Sequence, residues 1–271
     1  MDLDLNCDMG ESFGVYQLGA DEQLMPYITS ANIACGYHAG DPMVLDRTVA
    51  RARHYGIAVG AHPAYPDLAG FGRRPMALTP EEVENCVLYQ IGALAAFCRA
   101  HGVALTHVKA HGALYNAAAE DVALARALAR AIARFDRDLL LVGLASSAAM
   151  RAAAGEAGLA YAAEAFADRG YNPDGSLQSR RLPGSLIVDP AQAAAQAVAI
   201  AAGHVIAHDG SIVPIAAATL CLHGDNPSAA ANAQAVAAAL AAAGIRLRPL
   251  RGSSSREGRI SGKGAAGGSD Q

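Results

Sequence analysis

The sequence predicts an α/β protein whose parallel strands roll into a closed barrel. Three observations point there: seven short apolar segments alternate with helical ones, no two of them are joined by a hairpin signal, and no strand carries the charges of an exposed edge. A chain of 271 residues accommodates such a barrel, which takes roughly 250 residues. The rival arrangement is a doubly wound open sheet built from the same alternation.

The first strand lies in LDLNCDMGESFG, where Leu3 and Leu5 alternate before running into Asn6, Asp8, Glu11 and Ser12. Ala31 to Cys35 is the second; it breaks at Gly36 and leads through His38 to Asp41, which caps a helix with Pro42 in its first turn. That helix reaches Tyr55 and stops at Gly56, and Ile57 to Val59 forms a third strand followed by His62. After a Gly/Pro-rich loop with Arg73 and Arg74, Thr79-Pro80-Glu81-Glu82 is a capping box opening a helix whose apolar positions run from Val83 to Cys98. Val103 to Val108 is the fourth strand, ending in KAHGALYN. Asp121 opens a helix to Phe135, Leu139 to Val142 is a fully buried fifth strand, and a helix around Ser147 to Glu156 ends near Gly158. Leu159 to Ala165 is the sixth, carrying Glu164 towards Asp168 and Arg169. Asp189-Pro190 starts another helix, and Ala218 to Leu222 is the seventh strand, ending in HGDNP. A last helix spans Ser228 to Ala243, and Ile245 to Leu247 suits one more short strand. We expect one barrel domain over residues 1–251 and a flexible tail over 252–271, where Gly, Ser and Ala dominate without apolar periodicity.

Composition narrows the function classes. Net charge is −4 with no basic stripe, so nucleic acid is a poor partner. No apolar run approaches the ~20 residues of a membrane span, and the acidic start offers no export signal, so a cytoplasmic address is expected. The 5 cysteines contain no C-x-x-C pair and read as free thiols. Cys7, Cys35 and Cys221, near strand ends, are candidates to line a pocket. Only Lys109 and Lys263 among 21 basic residues are lysine, which singles out the Lys109 amine.

The strand ends collect Asp8, Glu11, His38, His62, Lys109, His111, Glu164, Asp168, Arg169, His223 and Asp225. Three chemistries fit. Asp8, His38 and His62 offer ligands for a metal, although no H-x-x-x-H or H-E-x-x-H spacing is present, and whether a metal is bound stays open. Carboxylates and histidines alternatively serve as acid and base, with Lys109 stabilising negative charge. A non-catalytic subunit would use Arg73, Arg74, Lys109 and Arg169 to hold a small anion. No G-x-G-x-x-G, P-loop or G-x-S-x-G motif occurs.

The segments DLNCDMGESFG, ANIACGYHAGDP, GAHPAYPD with GFGRR, VKAHGALYN, EAFADRGY and CLHGDNP resemble, in this order, the signature segments of the LamB/YcsF family. One departure is Ala110, where the resemblance leads us to expect proline, in the loop carrying His111. The resemblance implies a distorted seven-stranded (β/α) barrel of the polysaccharide deacetylase and glycoside hydrolase group and, through that group, a part in carbohydrate metabolism. It also implies ATP-dependent hydrolysis of the 5-oxo-L-proline lactam to L-glutamate with companion 5-oxoprolinase subunits B and C, which would hold the ATP. On that view Asp8 or His38 is the base, Lys109 and His111 supply charge, and His62 completes the catalytic set. Arg73, Arg74 or Arg169 grips the substrate carboxylate, Glu164 and Asp168 orient the cations, and Glu11, His223 and Asp225 complete the substrate contacts. Lys109→Met should then abolish turnover and leave folding intact. An independent metal-dependent deacetylase or amidohydrolase is the runner-up.

Overall fold

The computed structural model describes residues 1–224 and 228–250. Asp225 and the tail expected over 252–271 lie outside the described residues. In chain order the elements are β1 (Asp2–Met9), α1 (Asp21–Leu24), β2 (Ser30–Ala34), α2 (Pro42–Tyr55), β3 (Ala58–His62), α3 (Pro80–Ala100), β4 (Leu105–Lys109), α4 (Gly112–Glu120) and α5 (Val122–Phe135). There follow β5 (Leu140–Leu144), α6 (Ala148–Ala157), β6 (Tyr161–Phe166), α7 (Pro190–Ala201), β7 (His204–Ile206), β8 (Ile212–Pro214), β9 (Thr219–Leu222), α8 (Ala229–Ala242) and β10 (Arg246–Leu247).

β1 to β6 and β9 pair in parallel, neighbour to neighbour, and β9 returns to β1 with Asp4 opposite Thr219 and Cys7 opposite Leu222. That seam closes a seven-stranded parallel barrel and removes the open-sheet rival. The ring is irregular at one point, where the β3–β4 register shifts between Val59 and Gly60. β10 adds to the outside of β1, beside Asp2 and Leu3.

Local signals account for most boundaries. The Asp41 carboxylate accepts from the Met43 and Val44 amides, the Thr79–Glu82 capping box forms in full, and Gly56 and Gly158 end α2 and α6 at φ 67° and 72°. One expectation is corrected: β7 and β8 form an antiparallel hairpin around Asp209-Gly210, a turn dipeptide that contradicts the absence of hairpins. Helix α4 fills the stretch before Asp121 to which the sequence reading assigned no element, and is entered through Gly112 at φ 58°.

The alternation in β1 decides what fills the ring. Leu3, Leu5, Cys7 and Met9 face outward into the layer of helices, and all are buried there. Helix α5 buries Leu128 and Ile132 in the same layer, each contributing on the order of 2 kcal/mol. Asp4, Asn6 and Asp8 therefore point into the lumen, where a parallel barrel more often packs branched apolar side chains.

Candidate active site

The lumen is a ladder of hydrogen bonds that rises from floor to mouth. At the floor the Asp4 carboxyl accepts from Thr29 Oγ1 at 2.7 Å, Ser30 Oγ at 2.6 Å and Thr219 Oγ1 at 2.5 Å. Burial pushes its pKa up, and the three hydroxyls pull against that shift. Asn6 sits one step higher, donating to Thr219 Oγ1 (2.6 Å) and Glu164 Oε1 (3.0 Å) and accepting from Asn32 Nδ2 (2.7 Å). His107 fills the middle, its Nε2 2.8 Å from Asn32 Oδ1 and its Nδ1 2.8 Å from the Thr106 hydroxyl. Burial drives its pKa down to about 3, helped by the charge of Lys109. Gly60 makes that ring position possible, because a Cβ there would lie 2.1 Å from His107 Nε2.

Lys109 forms the next rung. Its Nζ lies 2.8 Å from Glu164 Oε1, 3.1 Å from Asp8 Oδ1, 3.2 Å from Asn6 Oδ1 and 3.0 Å from Cys221 Sγ. Burial opposes its charge, but the Asp8 carboxylate foremost, with Glu164, holds the amine well above its ordinary pKa. Asp8 is likewise penalised by burial, yet His62 and Lys109 keep its carboxyl well below the usual range. Glu164, wholly buried, also accepts from Tyr115 Oη at 2.7 Å. This placement revises the expectation that Lys109→Met leaves folding intact, since the substitution strands two buried carboxyl groups.

Beside Asp8 stands a group of three imidazoles. His62 Nε2 is 3.2 Å from Asp8 Oδ2 and 2.9 Å from His111 Nδ1. Glu11 Oε1 lies 3.2 Å from His38 Nε2 and 3.4 Å from His111 Nδ1, and the His38 and His111 rings stack at 3.9 Å. Burial, reinforced by neighbouring imidazoles, depresses the pKa of His38 and His111. The loop holding His111 is not loosened by Ala110. The His111 amide donates to Pro63 O, the Ala113 amide donates to Gly72 O, and Ala110 itself is buried.

A cavity of about 760 Å³ opens over these groups, lined among others by Asp8, His62, Lys109, His111, Arg73 and His223. Residues spread from position 8 to 223 thus meet at one mouth. His223 and Phe166 line it too, stacked on each other, and behind them Asp168 accepts from the His223 backbone amide (2.8 Å) and faces its Nδ1 at 3.0 Å. Arg169 lines the cavity too, but its guanidinium donates to the carbonyls of Gln178 and Ser185 and so braces the loop after β6; burial lowers its pKa to about 10. Arg180 and Arg181 from that loop reach the rim.

Other expected site residues stand apart from the mouth. Arg74 turns away from it and brackets Asp67, with Nε 3.0 and 3.1 Å from the two carboxylate oxygens. Glu11 and His38 sit behind the cavity wall, within the imidazole group. None of the five cysteines lines the cavity; burial pushes the Cys221 and Cys7 thiols well up and Cys35 to about 12, so they remain protonated. Reading strand ends alone passed over Asp4, Asn32, Tyr115 and Thr219. The period-two pattern of DLDLNCDM held the signal for Asp4, on the same face as Asn6 and Asp8.

Comparison with known proteins adds three findings. A family model described as the LamB/YcsF family matches residues 3–255. The 5-oxoprolinase A subunit of Chloroflexus aggregans is 56% identical over 252 residues, 93% of this chain and 100% of that relative. The crystal structure of a lactam utilization protein from Thermus thermophilus is 48% identical, with a TM-score of 0.88 over 92% of this chain and 100% of that one.

Proposed function

Because the chain belongs to the LamB/YcsF family, we propose that it is the A subunit of an ATP-dependent 5-oxoprolinase, opening the lactam of 5-oxo-L-proline to L-glutamate. The observation that carries this reading is the buried Lys109 ammonium, flanked by Asp8 and Glu164, at the base of a cavity roomy enough for a small cyclic amide. The similar proteins are a 5-oxoprolinase A subunit and a lactam utilization protein, which corrects the expected part in carbohydrate metabolism.

A five-membered lactam is a stable amide, and phosphorylating its oxygen makes the ring carbon open to water. We assign ATP to companion subunits B and C, in line with the lack of a nucleotide motif in this sequence, and the hydrolytic half to this chain in the cytoplasm. Lys109 then supplies positive charge beside the oxygen on which negative charge develops. Glu164 is a positioning residue: with Asn6 and Tyr115 donating to it, it fixes where that ammonium sits.

The base is best placed at His223. Asp8 is held as a weakly basic carboxylate and His38 does not line the cavity, whereas His223 does line it and has its Nδ1 held by the Asp168 carboxylate, the pairing that suits an imidazole to take a proton from water. Arg73 at the rim suits a two-pronged contact with the substrate carboxylate, with Arg180 and Arg181 as further cations there.

The test is glutamate release from labelled 5-oxoproline, with and without ATP and the companion subunits. Release only from the complete set, falling roughly 100-fold or more in His223→Gln, is the expected result. Undiminished release by the companions alone would leave this chain a purely binding component. Release by the chain alone without ATP would make it a free-standing amidohydrolase.

A further inference from the structure

We propose that Glu11, His38, His62 and His111 bind a divalent first-row transition ion, with zinc the best match, in the wall of the mouth. The proposal rests on donor geometry and not on the lactam reading.

One ring nitrogen from each histidine and one carboxylate oxygen of Glu11 lie within 4.8 Å of one another, and all four residues are buried. They come from the loops after β1 and β2, the end of β3 and the loop after β4, so four separate segments converge on one point. Nitrogen and oxygen ligands at about 2.0–2.2 Å around a tetrahedral ion stand about 3.3–3.5 Å from each other. Three of the six pairs, His62 to His111 at 2.9 Å, His38 to Glu11 at 3.2 Å and His111 to Glu11 at 3.4 Å, are within a few tenths of an ångström of that spacing, and the other three lie within 4.8 Å.

The outward nitrogens strengthen the case. His62 Nδ1 lies 2.7 Å from the Lys109 carbonyl and His111 Nε2 lies 2.9 Å from the Phe71 carbonyl. A carbonyl only accepts, so each of those nitrogens carries the ring hydrogen. In neutral rings, His62 Nε2 and His111 Nδ1 then present lone pairs to each other at 2.9 Å, a repulsive contact that a cation between them makes attractive. Backbone carbonyls on the outer nitrogen are the usual way a metal-binding histidine is held in its tautomer. His38, 1% exposed, turns its Nε2 to the same point, 3.2 Å from Glu11 Oε1.

Donor type selects the ion. Three imidazoles and one carboxylate suit zinc and its first-row neighbours, whereas calcium and magnesium prefer shells of oxygen. Asp8 Oδ2, 3.2 Å from His62 Nε2, stands close enough to enter the shell as a fifth ligand. His62 and His111 line the cavity, which gives the ion a path in.

The test uses the full isolated chain without substrate. After chelation, reloading with zinc and removal of excess metal, elemental analysis should find about one equivalent per chain, and the thermal midpoint should rise over the chelated protein. Cobalt(II) loading should give the visible absorption of a four- or five-coordinate nitrogen and oxygen site. Glu11→Gln and His38→Gln, both checked for fold by circular dichroism, should each lose at least about tenfold in zinc affinity. Less than about one tenth of an equivalent in the reloaded wild type, with no thermal shift, overturns the proposal, and a proton then bridges His62 and His111. Unchanged zinc affinity in both folded variants also overturns it. Failure of glutamate release in the complex would overturn the lactam reading and leave these results standing.

Discussion

Asp4 and Asp8 lie on the same face of β1, both buried, yet their surroundings differ in kind. At the floor Asp4 meets three hydroxyls, those of Thr29 and Ser30 at the start of β2 and of Thr219 at the start of β9, and the group closes on itself. At the mouth Asp8 meets an ammonium, an imidazole and a cavity. Buried polarity at the floor is complete and holds strands together; at the mouth it carries charge and unmet valence towards solvent. The contrast teaches that a polar barrel interior is not by itself a site, and that the floor and the mouth should respond differently to the same kind of substitution.

The largest expected effect is at the mouth. Lys109→Met should cut turnover of the assembled complex by at least about 100-fold and also cost about 3–5 kcal/mol of stability, read from denaturant midpoints. Adding Glu164→Gln should recover roughly 1 kcal/mol or more of that stability and none of the turnover, which separates charge balance from chemistry. Wild-type rates from Lys109→Met would erase the distinction between the two ends.

Asp4→Ala tests the floor. It removes the acceptor of the Ser30 and Thr219 hydroxyls and leaves Thr29 only its long bond to Leu5 O, and should cost about 1–3 kcal/mol, while turnover per folded molecule stays within about twofold. A loss of turnover at full folding would show that the floor reaches the chemistry.

The smallest effect locates the boundary. His107→Gln, midway up the ladder, should cost about 1–2 kcal/mol at neutral pH and spare turnover. Its sign with pH is fixed: the folded protein resists protonating this ring until about pH 3, whereas the unfolded chain takes the proton near 6.5. Stability tied to His107 is therefore whole above 6.5 and drains as pH falls towards 3. Thermal midpoints measured across that window should fall less steeply in the variant than in the wild type.

Much of this was legible in the residues. The seven-strand ring, the caps at Asp41, Thr79 and Gly56, and the gathering of Asp8, Lys109 and His223 follow from periodicity and from where strands stop. What escaped depends on register and side-chain direction, which spacing does not encode. Thr219 and Ser30 become partners of Asp4 only once β9 and β2 are aligned beside β1. Arg73 and Arg74 are neighbours in sequence, yet one faces the cavity and the other clasps Asp67. The β7–β8 hairpin was marked by Asp209-Gly210, but strands of three residues leave almost no alternation to read.

The seam between β1 and β9 also bears on how the chain comes to be made. Residues 4 to 7 find their partners at 219 to 222, so a ribosome must deliver nearly the whole barrel before the ring can shut. Until then Asp4, Asn6 and Thr219 keep their water, and the last strand to arrive is the one that expels it. Pairing across such a span favours slow closure, and a nascent chain halted before Thr219 should expose its polar interior to hydrogen exchange.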